Sequence, residues 1–482
     1  MRKIKEFYTI LVGLILYVEI LCAICTLGVI QWYTGKGAEM DANKMTLDVK
    51  EGGCYEVIIA GGGPAGCAAA IAAAREGKKT LLIEASGVLG GMGTIGLVPW
   101  WSTGDEEGKT VYQGIAAHIM EKGRAATPHI PARQTDGIAI NVETLKRIYD
   151  EEVTGAGAQV LFESQIVHAE VKDGSLEAVI VANKMGLTIY RAPVFVDATG
   201  DGDVCIMSGA ECEIGREDKA LQPASHCFIM TNVDTYGYEH VLGSKMHNGG
   251  YIIQKMVKDP ELDLINDLHF CNILLGSGAV GFNAGHIEDF DPLDPVQMSQ
   301  KLMEGRQMAH QYELGLKKYA PEAFGAATLS QTGPYLGIRE SRRIVCEYML
   351  TVQDYIDRNS FDDEIGRSRY MVDIHRTKKE LGDPGSGKKT WFGYLGPGES
   401  YGIPYRSLIP IGVKNLLVAG RCIGSDSIIN GSVRVMPVCL VTGEAAGTAA
   451  AFAVGKDGDV RGVDVKALQD RLESFGAYLH LK

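Results

Sequence analysis

The chain predicts an α/β fold built on a Rossmann-like unit that binds a dinucleotide, and three observations carry that prediction. A short apolar run, Val57–Ala60, leads straight into Gly61-Gly62-Gly63-Pro64-Ala65-Gly66, a G-x-G-x-x-G pattern. An Ala-rich segment from Cys67 to Arg75 follows, and then a second apolar run, Thr80–Ile83, that ends in Glu84. Two later segments, 194–203 (VFVDATGDGD) and 416–421 (LLVAGR), repeat the design of an apolar strand closing in a glycine-containing turn.

Each element of this unit has a physical task. Val57–Ala60 suits a strand buried on both faces. Gly61 permits a tight turn, Gly63 lets the backbone approach a pyrophosphate, and Gly66 lets helix and strand pack closely. The start of the Ala-rich helix offers N–H groups and the positive end of its dipole, and Gly77 is placed to end it. Glu84 is positioned to accept hydrogen bonds from an adenosine ribose and disfavours a 2′-phosphate. A second match to the glycine pattern, Gly276 to Gly281, lacks both the following helix and the acidic strand end. It reads as a glycine-rich strand or hairpin, so one dinucleotide site is expected.

Beyond Glu84 lies a loop of small residues with Gly90, Gly91, Gly93 and Thr94. Such a loop suits a chain that wraps a long cofactor past its adenine half, which points to FAD rather than NAD. Val435 to Ala451 opens a helix of small residues, whose start suits the electron-rich pyrimidine edge of a reduced flavin. Residues 159–200 are strand-rich, with Asp173-Gly174 marking a hairpin turn, and a helix is expected near 296–318. The tail, 465–479, reads as an amphipathic helix.

Composition bounds the rest. At 482 residues, with 46% apolar and 22% charged, the chain is long enough for two domains or one two-part fold. A net charge of -13 argues against a nucleic-acid partner. The 11 cysteines include one C-x-x-C, at Cys22 and Cys25 inside an apolar run. No zinc or iron–sulfur spacing occurs, so a 4Fe-4S cluster is not supported, no metal site is expected, and the thiols read as reduced core residues. Patterns of serine hydrolases, zincins and Walker A nucleotidases are absent. Residues 7–33 carry a single charge, Glu19, and are long enough to span a bilayer, with Arg2, Lys3 and Lys5 ahead of them. Three readings of this segment stand open: a membrane anchor, synthesis beginning at Met40 or Met45 in a cytoplasmic protein, or a cleaved signal.

Seven motifs in one order resemble the FAD-dependent oxidoreductases related to the flavin-binding part of heterodisulfide reductase. They are GGGPAG (61–66), GGMGT (90–94), DATGDGD (197–203), GIRESRRI (337–344), VDIH (372–375), YGIPYRSL (401–408) and AGRCIGSDSIINGSVRVMP (419–437). The resemblance implies a glutathione-reductase-like FAD domain at 52–205 and 396–460, split by a β-rich α+β substrate domain at 206–395. Residues 1–51 then form the hydrophobic segment and linker, and 461–482 a C-terminal helix. By the same likeness Gly61, Gly63, Pro64, Ala65, Gly66 and Glu84 hold the ADP half of FAD, and Gly91, Gly93 and Thr94 follow the cofactor toward its flavin. Gly200, Asp201, Gly420, Arg421, Val435 and Met436 are expected near the pyrophosphate or flavin. The chain departs from the heterodisulfide reductase flavoprotein in lacking its iron–sulfur cysteine clusters.

Candidates for chemistry lie in the insert and just after it. His375 can serve as acid or base, or be a structural histidine bonded to Asp373. Arg339, with Arg342, Arg343 and Glu340, can bind a substrate anion or knit a domain interface; if helical, Arg339 and Arg343 share a face. Tyr401, Tyr405 and Arg406 sit in a loop stiffened by Pro404, as a substrate wall or as packing. Trp100-Trp101, His286 and Asn283 are weaker candidates. The expected activity is hydride exchange between flavin N5 and a small organic substrate, with His375 or a tyrosine handling the proton. The alternative is a flavin electron-transfer protein that passes electrons to a partner iron–sulfur protein or quinone; a scaffold without turnover is a third reading. A homo-oligomer is an open expectation.

Overall fold

The computed structural model describes residues 46–102, 110–126, 138–375 and 393–479. The hydrophobic run at 7–33 lies outside the described residues.

Five parallel strands form the central sheet, in the order Leu416–Val418, Val194–Asp197, Val57–Ala60, Thr80–Ile83, Gln159–Leu161. The three central strands are buried along their whole length, which is why they read as continuous apolar runs. Side-chain alternation divides the two layers. Val57, Ile59, Leu82, Val194, Val196 and Leu417 enter one core, while Ile58, Ala60, Leu81, Ile83, Phe195 and Leu416 enter the other.

The first layer is dominated by two helices, Pro64–Arg75 and Met436–Val454. Their axes approach until backbone meets backbone. A Cβ on Gly443 would stand 2.1 Å from the carbonyl oxygen of Ala65, and one on Gly447 would stand 2.1 Å from that of Ala69. Among the described residues, Met436–Val454 is also the one helix long and apolar enough to cross a membrane, and nearly all of it is buried in this core. The second layer is covered by a four-stranded sheet, Val49–Cys54, Gly186–Arg191, Ser175–Asn183 and Gln165–Lys172, whose edge hairpin turns at Asp173-Gly174.

A separate apolar core belongs to the insert. Its antiparallel sheet runs Phe270–Gly276, Ala279–Ala284, Phe228–Thr231, Thr328–Thr332, with the helix Pro295–Tyr319 packed on one face. Phe228 stacks on Phe282 at 4.7 Å, and Tyr312 lies on both Phe228 and Phe270. The second glycine pattern, 276–281, forms the turn and returning strand of a hairpin.

This core draws its side chains from 224–336, a narrower span than the 206–395 expected for the insert. From Arg342 the chain packs against the two cores of the central sheet: Ile344 and Cys346 belong to the second, and Leu350, Tyr355 and Ile365 to the first. The sequence disguises this because two charged pairs are inside: Arg343 with Glu340 at 2.5 Å and Arg367 with Glu364 at 2.7 Å. Arg339 and Arg343 do not share a helical face, since Arg342–Ile344 is a strand paired with Cys212–Ile214. The C-terminal helix, Val465–Ser474, buries Leu468 and Leu472 and is shorter than the 465–479 expected.

Candidate functional site

The glycine loop is shaped by contacts that admit no side chain. Gly61 has φ +90°, and a Cβ there would lie 2.6 Å from the carbonyl oxygen of Ala198. A Cβ on Gly66 would lie 1.7 Å from the carbonyl oxygen of Gly61, so the helix can sit this close to the strand end only with glycine. Gly63 is different: a Cβ there meets nothing within 4 Å, because the residue faces a cavity. No side chain caps the helix at Gly63, and no acidic residue stands in its first turn. The long helix likewise starts at Val435 and Met436 without a side-chain cap. Both helix starts line the same cavity, of about 540 Å³, and the glycine contacts between the helices hold them there.

Glu84 ends its strand at the cavity edge. Its carboxylate accepts from the Gly62 N–H at 2.6 Å and from the Ser86 N–H at 2.7 Å, leaving lone pairs for a diol. The second glycine loop lies over the first: Gly90 donates to the Gly62 carbonyl at 2.8 Å, and a Cβ on Gly91 would stand 3.0 Å from the Gly63 Cα. Gly91 lines the cavity. Gly93 and Thr94 stand behind it; Gly93 packs on Leu145 and Met436, and the Thr94 hydroxyl donates to the Leu89 carbonyl at 2.6 Å.

Gly200, Gly420 and Arg421 line the opposite wall. Asp201 sits behind Arg421, accepting from its guanidinium at 2.7 Å and from the Ser341 hydroxyl. Burial pushes the Asp201 carboxyl up, and Arg421, Ser341 and Arg342 outweigh it, holding the group below the ordinary range. Gly66 and Asp201 thus support the cavity wall without lining it. An acidic strand end, two uncapped helix starts and an unfilled space over Gly63 fit the ribose and pyrophosphate of FAD.

The far end of the cavity carries a different chemistry. His269 precedes the strand Phe270–Gly276 and His286 follows Ala279–Ala284, so the pairing of Phe270 with Ala284 brings the two histidines together. Their rings stack at 4.5 Å, and His375, from 371–375, meets both edge-on at 5.0 Å. His286 Nε2 and His375 Nδ1 are 2.8 Å apart. His375 Nε2 lies 3.3 Å from Asp373 Oδ2, which also receives the Tyr370 hydroxyl at 3.3 Å and the Arg434 guanidinium at 3.4 Å. Burial and the nearby Arg339 cation push the His375 imidazole down to about 3, so it is neutral. Burial raises the Asp373 carboxyl, but His375, Arg434 and Arg339 pull it well below the usual carboxylate range.

Arg339 is buried beside this cluster and lines the cavity. It donates to the Pro223 carbonyl at 2.6 Å and the Ser225 hydroxyl at 3.0 Å, and among the described residues no carboxylate is a hydrogen-bond partner. Burial and Arg434 push its guanidinium down to about 10. A buried cation bonded to neutral groups at a cavity wall is a seat for an anion.

Two expected catalytic residues stand elsewhere. Tyr401 is fully buried in the first core, 2.5 Å from the Ser432 hydroxyl and edge-on to Tyr355. Arg406 holds Asp363 in two hydrogen bonds of 2.9 and 3.1 Å, with its side chain half exposed. Neither lines the cavity: Tyr401 opens the strand Tyr401–Pro404, which pairs with Glu364–Ser368, and Arg406 follows in the turn Tyr405–Leu408, tied to Asp363. The tyrosines that line the cavity include Tyr370 and Tyr335, which no sequence pattern marked. Cys271 and Cys227 were also hidden, yet they form one row with the weaker candidate Asn283: Cys271 pairs with Asn283, and Cys227 precedes Phe228, whose partner Phe282 precedes Asn283. All three line the cavity. Strand alternation around 270–284 would have placed them on one face. Of the weaker candidates, Trp100 and Asn283 line the cavity, while Trp101 is fully buried.

A profile described as FAD dependent oxidoreductase matches residues 56–472. No curated protein matches the sequence. Among solved structures, a geranylgeranyl bacteriochlorophyll reductase-like protein from Thermoplasma acidophilum is 14% identical, with a TM-score of 0.42 over 88% of this chain and 83% of that one. The flavin-dependent brominase Bmp2 is 13% identical, with a TM-score of 0.42 over 87% of this chain and 83% of its own. The anhydrotetracycline hydroxylase OxyS from Streptomyces rimosus is 13% identical, with a TM-score of 0.40 over 87% of this chain and 65% of its own.

Proposed function

We propose that this chain, which belongs to the FAD-dependent oxidoreductase family, exchanges a hydride with a small organic substrate that carries an anionic group. The observation that carries this reading is the cavity that joins the glycine loops to His375, Asp373 and the buried cation Arg339. Bound FAD supplies the two-electron chemistry, taking or giving the hydride at N5.

The chain's own residues do the rest. Arg339 binds the anionic group and so orients the substrate against the cavity. A substrate carbon that loses a hydride leaves an oxygen or nitrogen that must lose a proton. His375, held neutral and oriented by Asp373, accepts that proton, or returns it in the reverse direction. Tyr370 and the row Cys271, Asn283, Cys227 close the cavity and exclude water.

Anaerobic bleaching of the flavin by a panel of hydroxy acids, amino acids and uncharged alcohols tests this reading. Acids should bleach the flavin and uncharged analogues should not. His375→Gln should lower kcat by about 10²–10⁴-fold, Arg339→Met should raise KM, and Tyr401→Phe should leave both unchanged. Bleaching that ignores the substrate's charge would overturn the role of Arg339, and unchanged turnover in His375→Gln would overturn that of His375.

The likeness to the flavin part of heterodisulfide reductase, carried by the motifs at 337–344 and 372–375, supports a second reading. In it electrons pass on to a partner iron–sulfur protein or quinone, and the apolar run 7–33 would anchor the chain beside a membrane acceptor. Faster flavin reoxidation by a quinone than by dioxygen favours that reading.

A further inference from the structure

The histidine cluster has a hydrogen-bonding arrangement that neutral imidazoles cannot satisfy alone. His286 Nδ1 lies 3.2 Å from Asp267 Oδ2, and His375 Nε2 lies 3.3 Å from Asp373 Oδ2. A carboxylate only accepts, so each of these outer nitrogens carries the proton of its ring. The inner nitrogens, His286 Nε2 and His375 Nδ1, are then bare lone pairs facing each other at 2.8 Å. Asp267 also accepts the backbone N–H groups of His269 and His286, at 2.7 and 3.0 Å, and so fixes both backbones. The Nδ1 of His269 is buried without a hydrogen-bond partner. One nitrogen from each of the three rings lies within 4.8 Å of the other two.

Two facing lone pairs, with a third ring whose buried Nδ1 has no partner, call for a positive occupant. A single shared proton serves only the facing pair. We propose that His269, His286 and His375 bind one divalent transition-metal cation of the Zn²⁺ class at the far end of the cavity. Imidazole nitrogens are its preferred neutral ligands, and on tetrahedral zinc, with bonds of ~2.0–2.1 Å, two of them stand roughly 3.3 Å apart. The facing nitrogens of His286 and His375, at 2.8 Å, and the limit of 4.8 Å on the others are compatible with that value after a small adjustment of the rings. A ligating histidine that gives its outer N–H to a carboxylate is the arrangement that fixes ring and tautomer around metals, and His286 and His375 both have it. Three protein ligands leave a fourth position open toward the cavity, where a substrate oxygen or water can bind.

The spacing of 269, 286 and 375 along the chain matches no metal motif, so the site exists only in the fold. It does not rest on the hydride-transfer reading. With an ion bound, His375 is a ligand and holds no proton for the substrate, so metal content decides which of its two roles operates.

The test uses untagged full-length protein with its flavin, equilibrated with ZnCl₂ and then dialysed against metal-free buffer. Elemental analysis should find one zinc per chain, and X-ray absorption at the zinc edge should show a shell of nitrogen and oxygen with imidazole scattering. Asp267→Asn should weaken zinc binding by about 10–100-fold, and His286→Ala should abolish it. Flavin absorbance and melting temperature of the same samples report folding. Wild-type protein that retains flavin but no zinc overturns the site, as does a sulfur shell or zinc retained in His286→Ala. Zinc-loaded protein that cannot take up FAD would leave the metal site standing and overturn the cofactor assignment instead.

Discussion

Replacing Gly63 with Ala separates what the glycine loop does for the cofactor from what it does for the fold. The residue has φ -68° and ψ -177°, a conformation open to alanine, and its added Cβ meets no protein atom within 4 Å. The unfolded chain loses some freedom, so the apoprotein should be unchanged or more stable by about 0.4–1 kcal/mol. The methyl group instead enters the space where the pyrophosphate approaches the backbone. Overpacking of that kind costs ~1–3 kcal/mol, which is about fivefold to somewhat over a hundredfold in Kd. Quenching of flavin fluorescence on reconstitution measures the affinity, and urea melts of the apoprotein measure the stability. Gly61→Ala is the control, since its Cβ would lie 2.6 Å from a backbone oxygen and should damage both quantities. FAD binding by Gly63→Ala as tight as wild type, or a clear loss of apoprotein stability, would refute the placement of the pyrophosphate over this loop.

Two other outcomes follow from the charged groups. Arg367→Met leaves Glu364, which is fully buried, without its cation, and should cost about 3–5 kcal/mol in denaturant melts; a loss below about 1 kcal/mol would mean that the pair is hydrated. Asp201 has a folded pKa below its ordinary value of 3.8, so it adds stability above that pH, and the contribution is lost as pH falls through the folded value. Asp201→Asn should therefore be less stable than wild type at neutral pH, with the gap closing in acid below about pH 4; a gap that stays constant with pH would deny the Arg421 pairing.

The dinucleotide half of the site was legible because its physics is local. Val57–Ala60, the glycines, the Ala-rich helix and Glu84 are consecutive, and each residue's task depends on near neighbours. The catalytic half was legible in part. His375 and Arg339 stood out as residue types, while Tyr401 and Arg406 stood out equally and lie away from the cavity, since the packing of Tyr401 in the first core and the pairing of Arg406 with Asp363 decide which way they face. His269 and Tyr370 carry no motif at all. Their roles arise from the pairing of Phe270 with Ala284 and from the return of 370–375 to the cavity. The narrower span of the insert's own core was not legible either, because the buried pairs Arg343–Glu340 and Arg367–Glu364 form only once the fold brings them inside.

The glycine contacts between the first and last long helices have a consequence for synthesis. About 380 residues separate Ala69 from Gly447. At the ribosome's ~5–20 residues per second, roughly 20–75 s pass between the emergence of one surface and the other. The Ala-rich face of Pro64–Arg75 spends that interval uncovered, and the second helix start of the FAD cradle is still unmade. Capture of the cofactor by both helix starts therefore waits for the second helix, and until then an apolar helix face stays open to the wrong neighbour.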